Sequence, residues 1–343
     1  MTSAEIQEIA RTCGFELAGV ARAEPVEDRH AYHEWVAAGF AGDMRYLTDR
    51  RAGVRDDPRH LLPTARSIIC VGKLYNTPWP YSTEWSWAER GWISRYAWGD
   101  DYHVVLRSGL DRLESLLRER VQEPFAARVC VDTTPLLERS YARLAGLGWI
   151  GRNTCLINQE SGSWFFLGEL LVSLAIEPDA PPPDRCGTCT RCIDACPTEA
   201  IVPGSLGYTL DSRRCISYFT IELHGAVPEE HRAGIGSQVY GCDICQDVCP
   251  WNREAPVTAD REFAPREFVP PLERLAGLTE IEFREIFRNA PVTRARYRGF
   301  LRNVAIAMGN AGLEKFREPL ERLAQSKDEL VAEHARWALA RLG

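Results

Sequence analysis

CGTCTRCIDACP (186–197) decides how this chain is read. Cys186, Cys189, Cys192 and Cys196 stand at the spacing C-x2-C-x2-C-x3-C and a proline follows, the run by which bacterial ferredoxins hold iron–sulfur clusters. Two-residue loops let three thiolates converge on one cubane, while the fourth cysteine is carried off by the next turn to ligate a second cluster. GCDICQDVCP (241–250) supplies Cys242, Cys245 and Cys249 before another proline, one cysteine short of the full run. Cys215, upstream in RRCISY, fills the gap. The ligands then divide between two [4Fe–4S] clusters: Cys186, Cys189, Cys192 and Cys249 for one, Cys196, Cys215, Cys242 and Cys245 for the other. Zinc also takes four cysteines, usually as paired C-x2-C knuckles, and a triple run ending in Cys-Pro suits one tetrahedral ion poorly. The remaining Cys13, Cys70, Cys130 and Cys155 lie in apolar or helical text and read as buried small hydrophobes.

On the N-terminal side of the cysteines, residues 1–176 alternate helix and strand text. Residues 4–13 read as a helix, FELAGVA (15–21) as a short strand, and SIICVGKLY (67–75) and ARVCVD (127–132) as buried strands flanking an amphipathic helix over 103–121. WFFLGELLVSLAI (164–176) reads as a further strand. The alternation predicts an α/β sheet domain. PDAPPPDRC (178–186) breaks it, so the cluster segment is placed at 177–262 as a ferredoxin-like domain. Residues 263–343 are helical text, with Leu313, Phe316, Leu320 and Leu323, then Val331, Ala335, Ala338 and Leu342, at helical spacing. FLRNVAIAMGN (300–310) and VAEHARWALAR (331–341) look like two copies of one helix, as in a short HEAT-like array.

The 343 residues carry a net charge of -7, so no global charge signal marks a nucleic-acid binder, although a local basic patch is compatible with it. MTSAEIQEIARTCGFELAGVARAEP has no basic stretch leading into an apolar one, and no run approaches about 18 apolar residues, so neither export nor a membrane span is expected. The expected compartment is the cytoplasm, where twelve cysteines argue for metal ligation over disulfides.

Beyond the cysteines, GFELAGVARAEP (14–25), RDDPRHLLPTARSIICVG (55–72), RYAWGDDYH (95–103), VDTTPLLERSYARLAGLGWIGRNT (131–154) and YGCDICQDVCPWN (240–252) resemble the epoxyqueuosine reductases, over nearly the whole chain and in the same order. The resemblance implies a monomer with an α/β cobalamin-binding domain, a ferredoxin-like domain and a HEAT-like region that helps hold the anticodon stem-loop of a queuosine-family tRNA. It also implies a resting cob(II)alamin reduced to Co(I) by the clusters, an external low-potential electron donor, and no membrane. The reaction turns the epoxide of epoxyqueuosine into the alkene of queuosine with two electrons and two protons, releasing water. More distantly the family is related to reductive dehalogenases.

Asp132 ends the run ARVCV, where two readings meet: Asp-Thr-Thr-Pro is good N-cap text for a helix starting near Pro135, and a carboxyl whose pKa is raised by burial could protonate the alkoxide left by epoxide opening. The family's VDT-x-P motif implies the second, with Asp132 as proton donor. The resemblance also implies corrinoid contact for Arg55, Arg95, Tyr96, Tyr102, His103, Asn153, Leu156, Ser163, Leu167, Ser217, Thr220 and Asp243. Their ordinary readings are salt bridges, core packing and turn chemistry. His103 is not assigned to cobalt, because the chain has no D-x-H-x-x-G signature. REIFRNAPVTRARYRGFLRN (284–303) holds Arg284, Arg288, Arg294, Arg296, Arg298 and Arg302 with Phe287 and Tyr297 between them, a pattern suited to phosphates and unpaired bases. A solvated helix face is its ordinary reading, but beside the tRNA that the resemblance implies these six arginines are assigned to anticodon-stem contact. Two other functions fit the clusters: a reductive dehalogenase acting on a small organohalide, disfavoured by the missing export signal and the helical tail, and an electron-transfer ferredoxin with fused scaffold domains.

Overall fold

A computed structural model describes residues 1–84 and 87–342. Its N-terminal half is built on a four-stranded sheet of β1 (Leu17–Arg22), β2 (Ser67–Leu74), β3 (Ala127–Cys130) and β4 (Phe165–Val172), in the order β1-β2-β4-β3. The expected strands are all present, and every pair is antiparallel. Helices cover both faces, so the central strands are buried throughout and read in sequence like parallel ones. One face packs against α1 (Ser3–Thr12) and α2 (Tyr102–Arg120) through Ile6, Ile9, Leu106, Leu110, Leu113 and Leu117. The other packs against α3 (Glu138–Leu144) through Tyr141 and Ala142.

The cluster segment carries short elements: two single-turn helices that follow cysteine loops, a hairpin over 201–210, a π-helical turn at Tyr218–Glu222 and a helix at Glu229–Ile235. It is sewn to the N-terminal half by a parallel pairing of Gln238–Tyr240 with Trp92–Ile93. Trp92, Ile93, Ala97 and Trp98 in turn share one core with Leu272, Phe283 and Phe300, so residues 91–98 pack with the C-terminal region rather than with the sheet.

That region is helical from Leu272 to Leu339. The two similar helical stretches form α4 (Arg296–Ala311) and α5 (Glu329–Leu339), and they pack directly on one another. A Cβ at Gly309 would stand 2.8 Å from Ala338 Cα, so the small pair sets how close the helices approach. No helix among the described residues is long and apolar enough to cross a membrane.

α4 also corrects an expectation. Arg302, assigned to tRNA, is 1% exposed. Its guanidinium donates to the carbonyls of Phe219, Leu223 and Gly225, and the adjacent Asn303 donates to those of Thr220 and Val239. Its apolar neighbours on α4 turn this face of the helix inward, and the charge serves to satisfy the carbonyls of the π-helical turn. Replacing Arg302 with Leu should therefore lower unfolding stability by roughly 2–4 kcal/mol, because several buried carbonyls lose their donor. Urea denaturation of the variant tests this, and an unchanged midpoint would return Arg302 to the pool of surface cations.

Candidate functional site

β3 runs into Asp132, whose φ of +44° lies in the left-handed region that a non-glycine residue adopts only when held there. The hold is its backbone N–H, which donates to Glu138 Oε1 at 2.6 Å. The helix-capping alternative is not what forms. α3 starts at Glu138, and Leu137 before it makes no side-chain cap. The Asp132 carboxylate instead accepts from His103 Nε2 at 3.0 Å.

His103 sits in the first turn of α2, where the N-cap Asp101 accepts both its backbone N–H at 3.0 Å and its Nδ1 at 2.7 Å. The imidazole is thus clamped between two carboxylates, which push its pKa up to about 9: the Asp101 bond is the larger cause and the Asp132 bond the next. With both nitrogens engaged, it has no free lone pair for a metal. Tyr102 stacks on Phe166 with centroids 4.4 Å apart and hydrogen-bonds Asp132.

Arg294, from the turn Pro291–Ala295, completes the cleft. Its guanidinium is 3.9 Å from Asp132 Oδ2 and 2.9 Å from Glu222 Oε1, and it donates to Tyr46 Oη at 3.2 Å. Asp132 is 40% accessible on its side chain, so the carboxylate remains open to solvent. Its recessed position alone would raise its pKa, but His103, Tyr102 and Arg294 outweigh this and hold it below the ordinary carboxylate value. The expectation of a carboxyl raised by burial is therefore overturned. At neutral pH the proton of this pair resides on His103.

The other assigned residues divide sharply. Arg95 is buried, donates to Thr77 O, Trp79 O and Pro80 O, and lies 4.6 Å over the Trp98 ring, so it clamps a loop and presents no donor to the cleft. Arg55 donates to Arg51 O at 3.0 Å and stiffens the segment carrying Tyr46. Thr220 is fully buried between Ile216 O and Gly241 N, and Leu156 and Leu167 pack in the α3-side core. The partners of these side chains are chiefly apolar groups and backbone atoms, although Nε of Arg95 is left without one among the described residues. Ser163 braces Asn252 and Gln246, and Asn153 donates to Cys245 O at 3.3 Å, so both steady cluster-loop residues. Tyr96 donates to Tyr240 Oη at 3.2 Å. Ser217 hydrogen-bonds Cys215, and Asp243 is buried among Trp92, Ser94 and the Arg95 N–H.

The cysteines gather as the spacing predicts. Cys186 and Cys249 meet in one small apolar cluster, with Cys189 and Cys192 in electrostatic reach. Cys196, Cys215, Cys242 and Cys245 form the second neighbourhood. Cys70 and Cys130 are fully buried as expected, whereas Cys155 hydrogen-bonds Cys245 and is no inert filler. Of the arginines 284–302, Arg284, Arg288, Arg294, Arg296 and Arg298 are exposed, and Arg302 alone is buried. Phe287 is core and the Tyr297 hydroxyl donates to Leu278 O, so neither aromatic is free to stack on a base.

Comparison with known proteins now decides the family. The family described as "4Fe-4S double cluster binding domain" matches residues 185–252, and "Epoxyqueuosine reductase QueG, DUF1730" matches 55–133. The epoxyqueuosine reductase of Xanthomonas campestris pv. campestris is 41% identical over 99% of this chain and 96% of its own. The chain belongs to the epoxyqueuosine reductase family. The Escherichia coli epoxyqueuosine reductase is 36% identical over 98% of this chain and 88% of its own. A solved epoxyqueuosine reductase with an epoxyqueuosine-modified tRNA-Tyr stem loop superposes with a TM-score of 0.89 at 30% identity, covering 99% of this chain and 90% of that one. The Bacillus subtilis epoxyqueuosine reductase, described with its catalytic aspartate loop swung out of the active site, gives 0.85 at 29% identity over the same shares.

Sequence reasoning missed Glu138, Glu169, Tyr46 and Glu222, and it gave Arg294 to the tRNA. Glu138, three residues past the VDT-x-P motif, and Glu222, at the end of SYFTIE (217–222), carried a local signal. The His103 pKa makes a pH prediction. Raised from about 6.5 to about 9, the group stabilises the folded protein fully below about pH 6.5 and loses that contribution as pH rises through about 9. The Tm gap between the wild type and His103→Asn should accordingly close with rising pH, and a gap constant across that range would show that the imidazole is not the titrating group.

Proposed function

We propose that this protein reduces epoxyqueuosine to queuosine in tRNA, with Asp132 as the group that delivers a proton to the substrate. The observation that carries the reading is the meeting at Asp132 of three parts of the chain: His103 from the sheet domain and Arg294 from the helical region reach its carboxylate, and Glu222 from the turn that follows Cys215 holds Arg294. Such a cleft places proton chemistry beside the end of an electron path, which neither a plain ferredoxin nor a scaffold needs. Full-length identity with epoxyqueuosine reductases favours this substrate over a small organohalide.

Two [4Fe–4S] clusters take Cys186, Cys189, Cys192 and Cys249, and Cys196, Cys215, Cys242 and Cys245. The polar set of the site fits a corrinoid, whose rim is lined with amides: Arg294, Tyr46 and the open carboxylate of Asp132 are hydrogen-bonding groups there, and Ser217 lies beside Cys215. Those residues would border cobalamin, which when bound supplies the low-potential electrons for opening the epoxide. The net reaction consumes two electrons and two protons and releases one water. His103 holds the proton at neutral pH and Asp132 passes it on, because a proton relay works best from a donor poised above the operating pH to an acceptor in direct contact. Arg294 steadies the carboxylate between turnovers.

The tail is HEAT-like in its paired helices and presents the tRNA-facing rim. Arg296 and Arg298 are exposed there and lie close enough to His224 to lower its pKa beyond the effect of its burial. A low-potential donor outside the chain feeds the clusters, and the protein works as a cytoplasmic monomer.

Asp132→Asn should cut turnover of epoxyqueuosine-containing tRNA by at least about a hundredfold with iron content and cobalamin binding intact, and unchanged turnover would remove Asp132 from the reaction. Cys215→Ala should lose roughly half the iron, one cluster of two. Replacing both Arg296 and Arg298 with Gln should flatten the salt dependence of tRNA binding by about two units of log–log slope, whereas a parallel line would place the phosphates elsewhere.

A further inference from the structure

Behind the Asp132 turn lies a group that the reaction as described does not use. Glu169 is in the middle of β4, fully buried, and neither of its carboxyl oxygens has a partner that could donate to it. Its cross-strand neighbours are Cys70 on β2 and Cys130 on β3, both fully buried, so nothing beside it in the sheet supplies a charge or a strong donor. An ionised carboxylate in such a place is far too costly to persist, whereas a neutral acid needs only one acceptor for its O–H. Glu138, on α3 over the same face of the sheet, is in hydrogen-bond contact with it. The other contact of Glu138 is the backbone N–H of Asp132, at 2.6 Å.

We propose that Glu138 and Glu169 form a shared-proton latch: Glu169 stays a neutral acid and donates to Glu138, and Glu138 holds the N–H of Asp132 in its left-handed turn. Both are positioning residues, acting through Asp132. The latch deepens the reading of Asp132 as proton donor and rests on it. Two features support the arrangement. The +44° φ of Asp132 is strained for a residue with a Cβ, so the turn needs an acceptor that cannot drift. A second negative charge beneath Asp132 would repel its carboxylate, and a proton held on the pair limits that repulsion. The charged and titratable groups facing the pair are Asp132 and Tyr102 across the turn, Arg139 beside Glu138, and the two buried thiols, none of which replaces the proton. Burial, then the Asp132 charge, pushes Glu138 up to about 7, and Glu169 is raised further by burial and by Glu138.

The test uses the full-length protein and has three readouts. Infrared spectra at neutral pH should show the carbonyl stretch of a protonated carboxylic acid in the wild type and in Asp132→Asn, and lose it in Glu169→Gln. Amide hydrogen exchange should show the Asp132 turn protected in the wild type and Glu138→Gln, whose carboxamide oxygen still accepts, and unprotected in Glu138→Ala. In turnover, Glu138→Ala should lower kcat roughly tenfold or more with little change in KM for the tRNA, and Glu138→Gln should recover most of it. An absent acid band in the wild type, or a turn still protected in Glu138→Ala, overturns the latch. Full turnover by Asp132→Asn would retire Asp132 as proton donor while leaving the infrared and exchange results as they stand, so the two failures are distinguishable.

Discussion

A single buried carboxylate, Asp243, sets the geometry on which the rest depends. It lies between Cys242 and Cys245, and its donors all come from one short segment far away in sequence: the Trp92 indole at 3.0 Å, the Ser94 hydroxyl, and the Arg95 N–H at 2.8 Å. A buried carboxylate must collect such bonds, and one that collects them all from a single segment locks that segment to itself. The parallel pairing of Gln238–Tyr240 with Trp92–Ile93 and the Arg95 clamp on residues 77–80 follow from the same lock. Through it, the loop bearing two cluster cysteines is held in register with the N-terminal half that carries His103 and Asp132. Arg302 and Asn303 perform the matching task on the other side, tying the helical region to the π-helical turn after Cys215. The cleft sits where these ties meet.

This explains which parts of the molecule were legible in sequence. The cysteine spacing is local chemistry, and the two neighbourhoods it predicts are the ones that form. Strand and helix positions were legible too, since Ile6, Leu106 and Leu110 obey a helical period and β2 is an unbroken apolar run. Strand direction was not, because burial on both faces erases the alternation that would mark an antiparallel sheet. Nor could residue type separate the arginines. Arg302, Arg294 and Arg298 lie within nine positions, yet one is enclosed among carbonyls, one faces Asp132 and one is exposed beside Asp328. Helical phase alone distinguishes them, and the 3-10 turn at Pro291–Ala295 shifts that phase just where the assignment needed it.

The cleft also divides its charge from that of its rim. Asp101, Asp132, Glu222 and the singly protonated Glu138–Glu169 pair carry four negative charges against the two positive charges of His103 and Arg294, and the proton on Glu169 keeps the excess from growing further. A phosphate gains nothing by entering such a pocket, whereas an uncharged group can approach Asp132 without that repulsion. The arginine-rich segment is divided by its partners: Arg294 is paired with Glu222 beside Asp132, Arg298 is paired with Asp328 at 3.0 Å, and Arg296 is exposed. An ion-paired aspartate that would be a poor proton reservoir alone becomes a good conduit once a histidine held near pKa 9 stands behind it.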